Sequence, residues 1–266
     1  MTLLRVYRAL LVASFQQAMQ YRVQMFLWVF FSVVRPIIFL SAWTAVAVSQ
    51  GGSVGGFAGG DFATYYVALT LVTHLTMSWN AYEFEYDVRQ GRLSPKLLRP
   101  LHPIHLAVAE NIVWKTFTIL AIVPILGLIA WTFGATFRSD VAHVALFVPS
   151  LLLGAALYFL FGWVMATIAF WTTRVNAIVG LYDRAVFIFA GQIAPLALLP
   201  GALQTIAYLL PFGYMLGVPA DILRGGPRID EALLMIGGQV IWVAVAYGAL
   251  QVAWRAGLRQ YSAVGA

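Results

Sequence analysis

Long apolar runs separated by short polar breaks set the plan of this chain. Six runs can be drawn as membrane spans, at about residues 23–48, 62–79, 104–133, 141–171, 177–193 and 232–252. A hydrocarbon core of ~30 Å takes roughly 20 apolar helical residues, so each run is read as one crossing. Arg35-Pro36 interrupts the first run, and a kink stabilised by Arg35 is expected there. Ahead of it, residues 1–22 place Leu3, Leu4, Tyr7, Leu10, Leu11 and Phe15 at roughly helical spacing, with Arg5 and Arg8 among them. Two readings fit that segment equally: an amphipathic helix lying in the cytoplasmic interface, or a cytoplasmic extension of the first span. No cleavable leader is expected in it.

Two breaks in the pattern carry more information than the runs. The first is the loop at residues 84–103. Here Arg89, Arg92, Lys96 and Arg99 bracket Gly91, Leu93, Leu97, Leu98 and Pro100. Leu93 and Leu97 are four apart and share a helical face, and Pro100 stops the helix. The loop therefore predicts a short amphipathic helix that docks something soluble, with the leucines as contacts and the arginines setting register. The second is the stretch at residues 194–226. It stays apolar but holds Pro195, Pro200, Pro211 and Pro219. Its apolar runs are about ten residues long, too short to cross, so it is expected to form a re-entrant helical hairpin at the outer face. A pair of interfacial helices is the alternative.

Composition then fixes the solvent. Of the 266 residues, 62% are hydrophobic and 10% charged, and the mean hydropathy is +0.85. Lipid must be the solvent for most of such a chain. The net charge of +6 comes from bases at the ends and in loops, where the positive-inside rule places them, so no nucleic-acid partner is expected. Ten bases fall on one side of the drawn spans (Arg5, Arg8, Arg22, Arg89, Arg92, Lys96, Arg99, Arg174, Arg255, Arg259), against Arg138, Arg224 and Arg228 on the other. That places both termini in the cytoplasm. The fold expected is all-α, one polytopic membrane domain over residues 1–266.

The chemistry excluded is as useful. There is no cysteine. Neither lysine sits in the Gly-x-x-x-x-Gly-Lys-Ser/Thr cradle that holds a nucleotide phosphate, so no ATP site and no catalytic residue is expected in the chain itself. His102 and His105 flank Pro103 at a helix start and read as structural, with no metal site. Charges inside spans are costly and mark functional positions. Arg35, Glu110 and Lys115 are the candidates for a transport path. For Glu110 an interfacial pairing competes, and for Lys115 snorkelling toward the headgroups.

The stretch Val88-Arg89-Gln90-Gly91-Arg92-Leu93, followed by Leu97-Leu98-Arg99-Pro100-Leu101, resembles the coupling segment of the second type of ABC exporter permease. The proline-broken run from Ala194 to Gly225 resembles the outer region of the six-span members of that family. Ser94-Pro95 departs from the pattern and shortens the docking helix. The resemblance implies a permease subunit that moves a hydrophobic or amphipathic substrate (drug, lipid or glycan) out of the cytoplasm. It implies a cytoplasmic ATPase subunit that carries the ATP and Mg, a second permease, identical or similar, and residence in the inner membrane. A membrane scaffold that docks a soluble partner without transport, or a secondary transporter, are the other classes the residues allow.

The topology has a direct check. Ser53→Cys and Ser139→Cys are expected to react with an impermeant thiol reagent in intact cells, and Ser94→Cys to stay protected until the membrane is opened. The reverse pattern inverts the topology.

Overall fold

The computed structural model describes residues 3–172 and 175–261. Arg174, assigned to an inner loop above, lies outside them. The described residues are helical apart from a small hairpin. The order is α1 (Leu3–Gln20), α2 (Arg22–Ser32), α3 (Val34–Ser49), the hairpin strands β1 (Ser53–Val54) and β2 (Phe57–Ala58), α4 (Gly59–Thr76), α5 (Asn80–Arg89), α6 (Leu93–Leu97), α7 (Ile104–Thr132), α8 (Val141–Thr167), α9 (Asn176–Phe189), α10 (Gly201–Leu209), α11 (Pro211–Met215), α12 (Gly217–Arg224) and α13 (Ile229–Gln260).

Four helical stretches among these are long and apolar enough to cross a membrane: Arg22–Ser49, Ile104–Thr132, Val141–Phe170 and Ile229–Gln260. The first contains a turn at Val33, between α2 and α3. The break expected at Arg35-Pro36 thus falls two residues earlier. Pro36 sits in the first turn of α3, where a missing N–H costs nothing. Nor does Arg35 brace the kink through a freed carbonyl. Its guanidinium lies over the Phe187 ring, 5.1 Å from the centroid.

α4 is the most enclosed helix, with Phe62, Tyr65, Tyr66, Ala68 and Val72 all in the main core against α3, α8, α9, α11 and α12. It falls short of the four stretches above because Asp61, His74, Tyr65 and Tyr66 stand among its apolar residues together with four threonines. Those hydroxyls are satisfied locally: Thr64, Thr70, Thr73 and Thr76 donate to the carbonyls of Gly60, Tyr66, Leu69 and Val72 at 2.6–2.8 Å. A polar side chain that bonds its own helix can be buried at little cost. α9 has 14 residues, which cover about 21 Å at the helical rise of ~1.5 Å per residue.

Residues 190–217 leave helical geometry repeatedly, so their backbone groups need other partners. Donors from the neighbouring helices supply them. Tyr65 Oη donates to Gly191 O at 2.8 Å. Tyr66 Oη and Trp43 Nε1 both donate to Ile193 O, at 2.7 and 2.8 Å. The fully buried Gln239 of α13 donates through Nε2 to Tyr214 O and Ser150 O, at 2.9 and 3.0 Å. Broken backbone shielded in this way can lie at membrane depth. Each of the four prolines stands at the start of a short element. Pro195 and Pro200 precede the 3-10 turn Leu196–Leu198 and α10, Pro211 opens α11, and Pro219 is in the first turn of α12. The stretch is thus a 3-10 turn and three short helices rather than a two-helix hairpin.

Gly154 of α8 is where this proline-broken stretch meets the bundle. A Cβ there would lie 2.7 Å from Met215 O. Ser150, one turn away, is fully buried. The spacing of Ser150 and Gly154 suits close helix packing. Both face α11–α13 of the same chain, so they do not form a contact surface for a second permease. Gly154→Val is expected to push α11 off α8 and destabilise the fold by ~1–3 kcal/mol. The expected readout is a lower midpoint of thermal unfolding in detergent, while Gly127→Val, in open space, leaves the midpoint within about a degree or two.

Candidate functional site

The basic loop is built as a compact module. α5 is amphipathic: Ala81, Phe84, Glu85 and Val88 are buried, at the i, i+3, i+4, i+7 spacing of one helical face. The helix ends in a Schellman motif. Gly91 takes the left-handed conformation (φ 68°). Its N–H bonds Val88 O at 3.2 Å, and Arg92 N–H bonds Asp87 O at 2.8 Å. That reversal lays α6 back along α5. Lys96 of α6 then pairs with Asp87 of α5. Arg89 pairs with Glu85 at 3.2 Å, and Arg89 and Arg92 both lie over the Tyr86 ring, 5.7 and 5.1 Å from its centroid.

The module is fastened to the bundle by aromatic packing. Phe84 stands 5.1 Å from Trp163, 5.5 Å from Phe170 and 5.7 Å from Trp254, between ring centroids. Those partners come from α8, the 3-10 turn that ends it, and α13. Asn80 donates through Nδ2 to Phe159 O at 2.9 Å, and its amide fills the place where a side chain on Gly162 would stand. At the other end, the hydroxyls of Ser94 and Tyr261 share a hydrogen bond of 2.8 Å. A second polar link, Tyr82 Oη to Asp183 Oδ2 at 2.6 Å, reaches α9.

The leucines divide between two roles. Leu93 is 0% exposed, inside the cluster of Phe84, Trp163, Phe170 and Trp254. Leu97 is half-buried at its edge. Leu98 is 87% exposed, beside the exposed Arg99 and Pro100. The shared Leu93–Leu97 face therefore points into the chain, and Leu93 is not free to fill a partner's pocket. Of the three leucines, only Leu98 is exposed.

The intramembrane charges are scattered. Lys115 Nζ donates to Thr76 O at 3.4 Å, a carbonyl at the C-terminal end of α4, where a cation is favoured. Glu110 lines a cavity of about 480 Å³ enclosed by α1, α2, α5, α6 and α7. Arg35 is on the far side, over Phe187. Neither Arg35 nor Lys115 lines that cavity. His102 lies 4.4 Å from the Trp254 ring, between centroids, and burial there, with His105 nearby, holds its ring pKa below the ordinary value. His105 bonds Tyr7 of α1, at 2.8 Å.

Sequence reading missed Asn80, Phe84, Trp163 and Trp254. The signal for Phe84 was present: the 81-84-85-88 periodicity runs on upstream of the basic loop.

A bundle of long apolar helices around a threonine-rich core helix, with a basic module fastened to one end, defines a polytopic α-helical integral membrane protein. Residues 31–265 match the family described as ABC-2 family transporter protein. The chain belongs to that family, which makes it a membrane-spanning transport component. No curated protein matches it.

The two leucine environments give a clean contrast. Leu93→Ala is expected to destabilise the chain by ~2–5 kcal/mol through the cavity it leaves. Leu98→Ala is expected to stay within about ±0.5 kcal/mol, as for other exposed positions. Thermal unfolding of the purified chain measures both.

Proposed function

We propose that this chain is the permease subunit of an ATP-driven exporter and that α5, Gly91 and α6 form its coupling element. The observation that supports this most is the division of labour in that module. One face is bolted to α8 and α13, and the other presents Leu98, Arg99 and Arg92 to solvent. A solvated loop that merely obeyed the positive-inside rule needs no such fastening. In this reading a cytoplasmic ATPase subunit binds the exposed face and carries ATP and Mg. Its closure on nucleotide moves α5–α6, and the aromatic cluster passes that motion to the spanning helices.

The reading includes six crossings, with α4 and α9 as the second and fifth. α4 is surrounded by other helices, so its threonines do not meet lipid. α9 continues into the shielded stretch at residues 190–200, which completes its depth. Both termini lie in the cytoplasm of a cell with an inner membrane, and residues 194–226 re-enter from the outer face. A second permease, identical or similar, completes the path. The substrate is hydrophobic or amphipathic, from the drug, lipid or glycan classes.

Co-purification tests the proposal. A soluble ATPase bearing a phosphate-binding loop is expected to accompany the chain from its native membrane. Leu98→Ala combined with Arg99→Ala is expected to weaken that association about thirtyfold or more, ~2 kcal/mol, with the permease still folded and inserted. The loss contributed by Arg99 should shrink at high salt, as for a contact at the rim of an interface. Recovery of the double variant with a full complement of ATPase would remove the coupling role.

A further inference from the structure

The cavity of about 480 Å³ lies at the end of the bundle where α1 meets α2, α5, α6 and α7. Its volume is that of a small-ligand site. Its wall carries both signs of charge: Glu83, Asp87 and Glu110 against Arg92 and Lys96. Asp87 and Lys96 pair with each other. Among the described residues Glu83 and Glu110 have no ion-pair partner. Arg92 has only the Tyr86 ring, and Lys96, with three donors, retains capacity beyond Asp87. Three further polar atoms on the wall are unpartnered. Ser14, Asn80 and Trp163 are 6%, 3% and 2% exposed, and among the described residues none of Ser14 Oγ, Asn80 Oδ1 and Trp163 Nε1 has a hydrogen-bond partner. Trp79, Trp114 and Tyr21 complete the lining, the residue types that sit at headgroup level in membrane proteins.

The geometry points to a resident zwitterionic phospholipid of the cytoplasmic leaflet, held here by a phosphoethanolamine headgroup. The ammonium is placed against Glu83 and Glu110. The phosphate is placed against Arg92 and Lys96, which can each give it charge-assisted hydrogen bonds. A simple cation would satisfy the acids and leave Arg92 opposing it, and a simple anion would do the reverse. Only a headgroup with both charges answers the whole wall. Such a lipid would tie α1 to the coupling module, since its headgroup bridges α5, α6 and α7 beneath α1. This inference rests on the proposed orientation, with this end in the cytoplasm, but not on transport or on the ATPase.

Native mass spectrometry of the purified chain tests it. Phosphatidylethanolamine is expected to be retained as a single adduct at collision energies that strip phosphatidylglycerol. Glu83→Gln with Glu110→Gln is expected to weaken phosphatidylethanolamine binding tenfold or more and leave phosphatidylglycerol unchanged. Arg92→Gln should weaken it as well. Glu83 is exposed on α5, so Glu83→Gln alone keeps the test open if the double variant does not fold. Equal retention of the two lipids, or unchanged retention by the glutamine variants, overturns the proposal. Soluble phosphoethanolamine is the remaining arm. Binding as tight as that of the phospholipid would overturn the membrane as the source, and binding at least tenfold weaker supports it. A topology experiment that placed this end outside would overturn the cytoplasmic leaflet as the source, and the mass spectra decide separately whether the lipid binds.

Discussion

The seam between α5 and α8 is the contact on which the half of the molecule that carries the basic module depends. Gly162 lets the Asn80 amide approach the α8 backbone, and no larger residue fits there. That approach seats Phe84 among Trp163, Phe170 and Trp254. Large aromatic rings in mutual edge and tilted contact bury much area with few rotatable bonds, which makes a stiff joint. Leu93 fills the remaining space, and the reversal at Gly91 follows from where Leu93 must go. The exposed face of α6, with Leu98 at its end, is therefore a consequence of packing inside the chain. A soluble partner that moves this face must move α8 and α13 with it.

The half that holds residues 190–217 is governed by a different constraint. Lipid offers no hydrogen bonds, so each departure from helix needs an internal partner. Tyr65, Tyr66, Trp43 and Gln239 supply those partners to carbonyls at 191, 193 and 214. This explains why polar and aromatic residues stand in the middle of the most buried helix. It also lets α11 and α12 sit in the core, with Met215 and Leu216 fully buried, although neither is long enough to cross.

Much of this was legible in the sequence, and the boundaries show where and why. The helix predicted at 104–133 is Ile104–Thr132, and the one predicted at 141–171 is Val141–Phe170, because apolar length is a strong signal. The kink near Pro36 was displaced, since proline in a first turn does not break a helix. The module at residues 84–103 was located by its charges, but its inward and outward faces were not. Leucines four apart define a face without saying which way it turns. That depended on Trp163 and Trp254, which are about 70 and 160 residues further along the chain. The small pair Ser150 and Gly154 shows the same dependence on distant residues. Spacing predicts close approach, and the fold alone decides whether the approaching helix belongs to the same chain.

The central claim is that the coupling module moves as one body with α8 and α13. Distances between spin labels measure this directly, and the absence of cysteine makes labelling clean. Labels at Gln90→Cys on the module and Val252→Cys on the exposed side of α13 report across the aromatic joint. A rigid joint gives one narrow distance distribution whose centre is the same with the ATPase absent, bound, or trapped with nucleotide. A centre that shifts by several ångströms when nucleotide is added would contradict it, because the module would then be sliding over the bundle instead of driving it.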